Sequence, residues 1–249
     1  MFYFDYIDNK KILKSDLITG ANNFFTTIES VITPKNLTYL NELCEENMHL
    51  IAGYLDLQPD RIIVPTQVHG DCVSVAKYGV SYPSTDALLV EDDDIAICLN
   101  FADCTPIIIY DQKNNVGGIV HAGWRGTASS IVMKTIDIMQ KRYSSNPEDI
   151  LAVIGPAISS KNYQVDANVF NALTITLNAQ YNDYYVMDEV NNKYFVDLKT
   201  INQHQLQELG IGTIDKCEYC TYDSIDVFFS YRREQGVTAR HSAILKLNK

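Results

Sequence analysis

Residues 61–123 constrain this chain more than any other part of it. RIIVPTQVHGDCVSVA, DALLV, IAICLNFAD, PIIIYD and VGGIVHAG are short apolar runs rich in Ile and Val, residues that suit a pleated, half-buried surface. They follow one another too closely for a helix to fit between each pair. A regular βα alternation is therefore excluded, and a largely antiparallel or mixed sheet is expected.

Helical spacing flanks this block. Leu37, Leu40, Leu43 and Leu50 predict a helix over residues 36–55, with Pro34 suited to its start. Ala128, Ile131, Val132, Thr135, Met139 and Tyr143 keep to one face and predict a helix over residues 127–143. ILAVIGPAI reads as a buried strand closed by Gly155-Pro156. The final third reads as helices at 165–177 and 198–209 and strands at IDVFFSYRR and ARHSAILKL. No linker rich in Gly, Ser or Pro interrupts the chain, so residues 1–249 are expected to form one compact α+β domain.

A hydrophobic share of 46% is enough for a large core in 249 residues, but no run approaches the roughly 18 apolar residues of a membrane span. The start, MFYFDYIDNKK, lacks the basic and apolar regions of a signal peptide, so the protein is expected to stay where it is made. Six cysteines, at positions 44, 72, 98, 104, 217 and 220, are too sparse for a disulfide scaffold and point to a reducing, cytoplasmic compartment. A net charge of −11 opposes binding to a phosphate backbone, which excludes nucleic acid as an expected partner. A small anion is a different matter, because one arginine cluster outweighs a distant, screened field.

The chemistry-bearing residues concentrate between Gln67 and Thr127. His69, Cys104 and His121 are the nitrogen and sulfur ligands zinc accepts, and three protein ligands with one open position is the catalytic pattern. Separations of 35 and 17 residues exclude a compact finger, so the three would have to converge from different strands. Each also has a plain reading. His69 precedes Gly70-Asp71, a turn in which a histidine is simply exposed; Cys104 has polar neighbours; His121 stands among small residues that permit close backbone approach.

The strings QVHGD, TDALLV, ADCTPIIIYD, HAGWRGT, IGPAIS with YQVD, FVDLK, CTYD and FFSYRR occur in order across nearly the whole chain. In these the chain resembles the multifunctional purine nucleoside phosphorylase/laccase-domain family, also called YfiH-like. The resemblance implies an α/β/β/α sandwich of mixed sheets and a zinc site at His69, Cys104 and His121. It also implies phosphorolysis of adenosine, inosine, guanosine and methylthioadenosine, with purine nucleosides and phosphate as the small-molecule partners. Adenosine deamination, older names as a copper-dependent laccase or polyphenol oxidase, and a role in peptidoglycan editing travel with the same family.

Within that frame Asp103 moves a proton, or instead orients a ligand or caps a turn. Arg125, in the glycine-flanked WRG, is the phosphate candidate, with the helix start at Thr127 expected to add N–H donors. Arg232 is expected to bind substrate, and Arg233 and Arg240 to form ion pairs. Trp124 either stacks on a purine or, as expected, is buried under its loop. Cys217 and Cys220 form a lone CxxC, read as structural. Two positions depart from the family pattern: Thr27 stands where an arginine is common, and Ala239 where a glycine is. Five histidines are too few for a conventional multicopper oxidase, which leaves that reading and a non-enzymatic binding role as the alternatives to a zinc phosphorylase.

Overall fold

A computed structural model describes residues 1–35, 37–178 and 180–248. Strands β1 (Phe2–Ile7), β2 (Lys10–Ser15) and β3 (Ala21–Thr26) form a meander, followed by helix α1 (Asn41–Tyr54) and the short strands β4 (Ile62–Ile63) and β5 (Val73–Val75). Then come β6 (Ala87–Val90), β7 (Ala96–Phe101), β8 (Thr105–Asp111) and β9 (Val116–Ala122), helices α2 (Trp124–Ala128) and α3 (Ile131–Tyr143), and β10 (Ile150–Ile154). The remainder holds β11 (Gln164–Val165), α4 (Ala167–Thr174), β12 (Tyr185–Asp188), β13 (Lys193–Val196), α5 (Leu198–Glu208), β14 (Thr213–Lys216) and β15 (His241–Leu247).

One sheet runs β1-β2-β3-β15-β7-β4, the other β14-β10-β8-β9-β6-β5, and a small third sheet runs β11-β13-β12. Only β4 with β7, β5 with β6 and β10 with β14 pair in parallel among the described strands, so the sheets are mixed as the close spacing required. Side chains alternate across each strand, which is how β7 serves two layers. Ile97, Leu99 and Phe101 face inward to Leu88, Ile108 and Val153 of the other sheet, while Ala96 and Cys98 face outward to Ile51 and Ala52 of α1. On the far side Ile107, Ile109 and Ala152 meet Ile131, Ile136 and Met139 of α3 and Leu206 of α5. The layers are therefore helix, sheet, sheet, helix, the expected α/β/β/α sandwich. Gly155 lets the sheets close: a Cβ there would lie 2.3 Å from Cε1 of Phe25.

Four expectations need correction. The helix expected over 36–55 begins at Asn41 after a short 3-10 turn; Asn36 lies outside the described residues. The single helix expected over 127–143 is two, because Ser129-Ser130 are weak helix formers and Ser130 takes a left-handed φ of 56° between α2 and α3. The run 61–76 is not one strand: Ile62–Ile63 and Val73–Val75 belong to different sheets, and the chain between them crosses over. IDVFFSYRR is a series of turns, held by the Arg233 guanidinium, which donates to the carbonyls of Thr221, Tyr222 and Phe228 at 2.6, 3.0 and 2.8 Å. The strands at 2–26 and the small third sheet went unread in the sequence.

Candidate active site

Two crossings between the sheets occur at the same end of the sandwich. The 64–72 segment leaves β4 for β5 and carries His69; the turn after β7 enters β8 and carries Cys104. His121 lies at the end of β9, opposite Pro106 of β8. The topology thus brings together residues that spacing alone left apart. The ligand atoms of His69, Cys104 and His121 all lie within 4.8 Å of one another, His121 buried, Cys104 half-buried and His69 exposed. Gly123 keeps the space open, since a Cβ there would sit 2.9 Å from the Cys104 Sγ.

Asp86, fully buried at the head of β6, is the organiser that sequence reasoning missed. Its Oδ1 accepts from the His69 backbone N–H at 2.9 Å and is 2.8 Å from His121 Nδ1; its Oδ2 accepts from the N–H groups of Gly70 at 2.8 Å and Val68 at 3.2 Å. These bonds fold the His69 loop, where His69 itself adopts a left-handed φ of 61°. Burial alone would raise the Asp86 pKa, but the bonds from His121, Gly70 and Val68 outweigh it and hold the carboxyl below its ordinary range. A carboxylate on Nδ1 directs Nε2 of His121 toward the cluster, the usual support for a metal-binding imidazole.

The donor set fits a metal. Burial would raise the Cys104 thiol, yet the charge and hydrogen bond of His121, and then His69, bring its pKa down toward the thiolate that binds metals. Burial would lower His121, and the Cys104 charge and the Asp86 bond reverse that. The remaining histidines are elsewhere: His204 Nε2 is 2.7 Å from Asp183, His241 packs between Phe101 and Phe228, and His49 lies on α1. Among the described residues the site therefore offers one three-ligand centre.

The cluster opens into a cavity of about 500 Å³. Asp103, Arg125 and Arg232 line it, as does Arg240. Asp103 has a φ of 92° and each of its oxygens accepts one bond at 2.7 Å, Oδ1 from the Thr221 hydroxyl and Oδ2 from the Arg232 backbone N–H. Arg125 lies 4.3 Å over the Trp124 ring and Arg232 5.3 Å over Tyr163.

Residues 40–248 match the family described as multi-copper polyphenol oxidoreductase laccase. The chain belongs to that family. A purine nucleoside phosphorylase of Bacteroides thetaiotaomicron is 30% identical to this laccase-family chain, covering 90% of it and 92% of the relative. The purine nucleoside phosphorylase YlmD of Geobacillus stearothermophilus is 33% identical over 80% of this chain and 77% of its own. A crystal structure of YlmD from Geobacillus stearothermophilus matches with a TM-score of 0.89, 99% coverage of both chains and 27% identity.

Several details of this laccase-family site differ from the sequence reading. The Thr127 N–H offers nothing to an anion, because it donates to the Gly123 carbonyl at 2.8 Å inside α2. Arg233 does pair, with Glu234, but Arg240 has no carboxylate partner among the described residues and faces the cavity. Trp124 is half-buried and lines the cavity as well as packing on the small sheet. Thr27 is buried, its hydroxyl donating to the Lys11 carbonyl at 2.8 Å, and Lys35 is the N-terminal residue that reaches the cavity. Ala239 packs with Val31 and Cys44 without a left-handed backbone, so no glycine is required there. Cys217 and Cys220 are free thiols; the Cys220 Sγ accepts from the Ser159 N–H at 3.3 Å, a structural role.

Proposed function

We propose that this chain is a metal-dependent purine nucleoside phosphorylase, with zinc rather than copper held by His69, Cys104 and His121. The observation that carries the reading is the company the cluster keeps: one cavity joins the three ligands to Arg125, Arg232 and Arg240, none of which has a carboxylate partner among the described residues. Unneutralised guanidinium groups in a chain of net charge −11 suit an anionic substrate. A volume of about 500 Å³ falls in the range of small-molecule sites. The relatives' names supply the purine nucleoside.

In this reading a phosphate oxygen forms a bond to the anomeric carbon of the ribose as the bond from that carbon to the purine N9 breaks. The electron pair leaves with the base, which gains a proton, giving free base and ribose 1-phosphate. Arg125 and Arg232 bind and orient the phosphate. Asp103, the sole carboxylate among the described lining residues, carries the proton, each oxygen retaining a lone pair beyond the bond it accepts. Bound zinc supplies Lewis-acid polarisation of a substrate oxygen. Asp86 positions His121 and the His69 loop and does not touch substrate. Adenosine deamination would draw on the same cluster and is reported by ammonia release.

Residues 1–249 act as one unit in this proposal, because Leu13, Ile97, Ile108, Val153 and Leu245 share one core. A cytoplasmic site of action suits the six free cysteines, and no described helix is long and apolar enough to cross a membrane.

His69→Ala, Cys104→Ala and His121→Ala are each expected to lose metal and to stop purine release from inosine. Full activity in a metal-free variant would sink the mechanism. A multicopper oxidase would need several further copper ligands, and the other three histidines are not available to this cluster.

A further inference from the structure

Tyr163, the residue before β11, lines the same cavity as the three metal ligands and the arginines. Its main chain is tied at both ends: the N–H donates to the Ser160 carbonyl and the carbonyl accepts from the Val196 N–H, each at 3.1 Å. Its ring packs against Val165, Leu173, Tyr184 and Val196 around the small sheet. The Arg232 guanidinium lies 5.3 Å over that ring, and Arg232 Nη1 donates to the carbonyl of Gln164, the next residue, at 3.5 Å. The ring is therefore held in place by the small sheet and by Arg232. Its hydroxyl is not: no protein group among the described residues pairs with it.

The surroundings of that hydroxyl are charged. Cys104, Asp103, Arg125 and Arg232 line the cavity with it, and the charges of all four act on the phenol. Burial raises its pKa most; the Cys104 charge raises it further, Arg232 opposes, Asp103 raises it and Arg125 opposes, with a net shift well above the ordinary value. The group keeps its proton and is a neutral O–H donor among two cations and the metal cluster. Tyr231 also lines the cavity, but it is 55% exposed and stands at the other arginine, with Arg240 5.8 Å over its ring.

Resting on the phosphorylase reading, we propose that Tyr163 is a third phosphate-binding group, its hydroxyl donating to the phosphate that Arg125 and Arg232 hold. Two guanidinium groups leave phosphate oxygens with unused lone pairs, and a neutral donor satisfies one without burying another charge. The arrangement favours phosphate over the nucleoside as the partner of this hydroxyl, because the cation over its own ring is one of the two that bind the anion. Tyr163 binds and orients; Asp103 keeps the proton. Since the hydroxyl makes no protein bond among the described residues, its removal costs the fold no hydrogen bond, and any loss of phosphate affinity reports the ligand contact itself.

Tyr163→Phe keeps the ring, its packing and the Arg232 contact and removes only the hydroxyl. The test measures the KM for phosphate and for inosine, and calorimetric binding of inorganic phosphate without nucleoside, in metal-loaded wild type, Tyr163→Phe and Tyr231→Phe. Tyr163→Phe is expected to melt within about 2 °C of wild type. It should raise the phosphate KM and weaken phosphate binding by about ten- to a hundredfold, with the inosine KM unchanged. Tyr231→Phe is expected to leave phosphate binding as it is. Unchanged phosphate affinity in Tyr163→Phe overturns the inference, as does a rise in the inosine KM alone, since the hydroxyl would then serve the nucleoside. An equal or larger loss in Tyr231→Phe also overturns it, placing the anion at the Arg240 end. Phosphate binding that weakens in Tyr163→Phe while neither protein releases base would leave the contact standing and remove the phosphorylase reading. A wild type that binds no phosphate overturns both.

Discussion

Asp86→Asn isolates the organiser of the site. The carboxylate accepts four hydrogen bonds from N–H groups, two on each oxygen. An asparagine keeps one oxygen, so whichever way it turns, two bonds are lost and an amino group faces two donors. If the amide nitrogen meets His121, that ring must present Nδ1 as the acceptor and carry its proton on Nε2, the nitrogen needed for metal. If it meets Gly70 and Val68, the His69 loop loses its anchor. Each bond to a charged acceptor contributes about 1.5–3 kcal/mol, so two lost in a fully buried setting cost roughly 3–6 kcal/mol. For a chain of this size that is on the order of 10 °C in Tm. Metal affinity should fall about 10- to 100-fold, as for other carboxylates that support metal-binding histidines. Thermal melting of the metal-free proteins gives the first quantity, and competition with a chelator the second. A Tm within about 2 °C of wild type, together with undiminished metal affinity, would refute the assignment of Asp86 as organiser.

Gly123→Ala acts on the cluster from the other side. Gly123 has ordinary dihedrals, φ −70° and ψ 173°, so the added methyl strains no backbone, but it would sit 2.9 Å from the Cys104 sulfur. We expect a Tm within a few degrees of wild type and at least about a tenfold loss of metal affinity; unchanged metal content on dialysis would contradict this. Thr221→Val removes the hydroxyl that ties Asp103, at a cost of about 1–2 kcal/mol, and should lower kcat for inosine more than it raises KM, as steady-state kinetics will register. Glu91 tests the fold independently of the site. Hydrogen bonds from Lys77, and then from Arg142, hold its pKa at about 2. Its contribution is therefore present above the unfolded pKa of about 4.3 and lost as pH falls through the folded value. With both partners well exposed, Glu91→Gln should cost only about 1 kcal/mol at pH 7, and urea midpoints of variant and wild type should converge toward pH 2. A gap that persists at low pH would show that charge is not its source.

The sandwich core was legible because β6 to β9 are written in runs whose composition and length leave little choice. Helix α5 was read to within a residue for a similar reason, its end marked by Asp197, which accepts from the Thr200 N–H at 3.1 Å. IDVFFSYRR misled because alternating aromatic and polar residues imitate a strand, while the Arg233 bonds that hold those turns join positions no local pattern connects. The types of the three ligands were visible but their convergence was not, since it depends on two crossings between sheets. Asp86 was harder still. It reads as one polar residue before a buried strand, and its four contacts come from three residues of an upstream loop and one residue of a later strand.

The central claim is a metal-dependent phosphorolysis at the His69–Cys104–His121 cluster. Its most direct test measures, on one purified sample, the metal content and the release of hypoxanthine and ribose 1-phosphate from inosine, with and without phosphate and before and after chelation. The account predicts one zinc per chain, one ribose 1-phosphate per base released, and loss of turnover when either phosphate or metal is withdrawn. Base release that ignores phosphate, or stoichiometric copper with oxygen consumption on phenols and no base release, would contradict it.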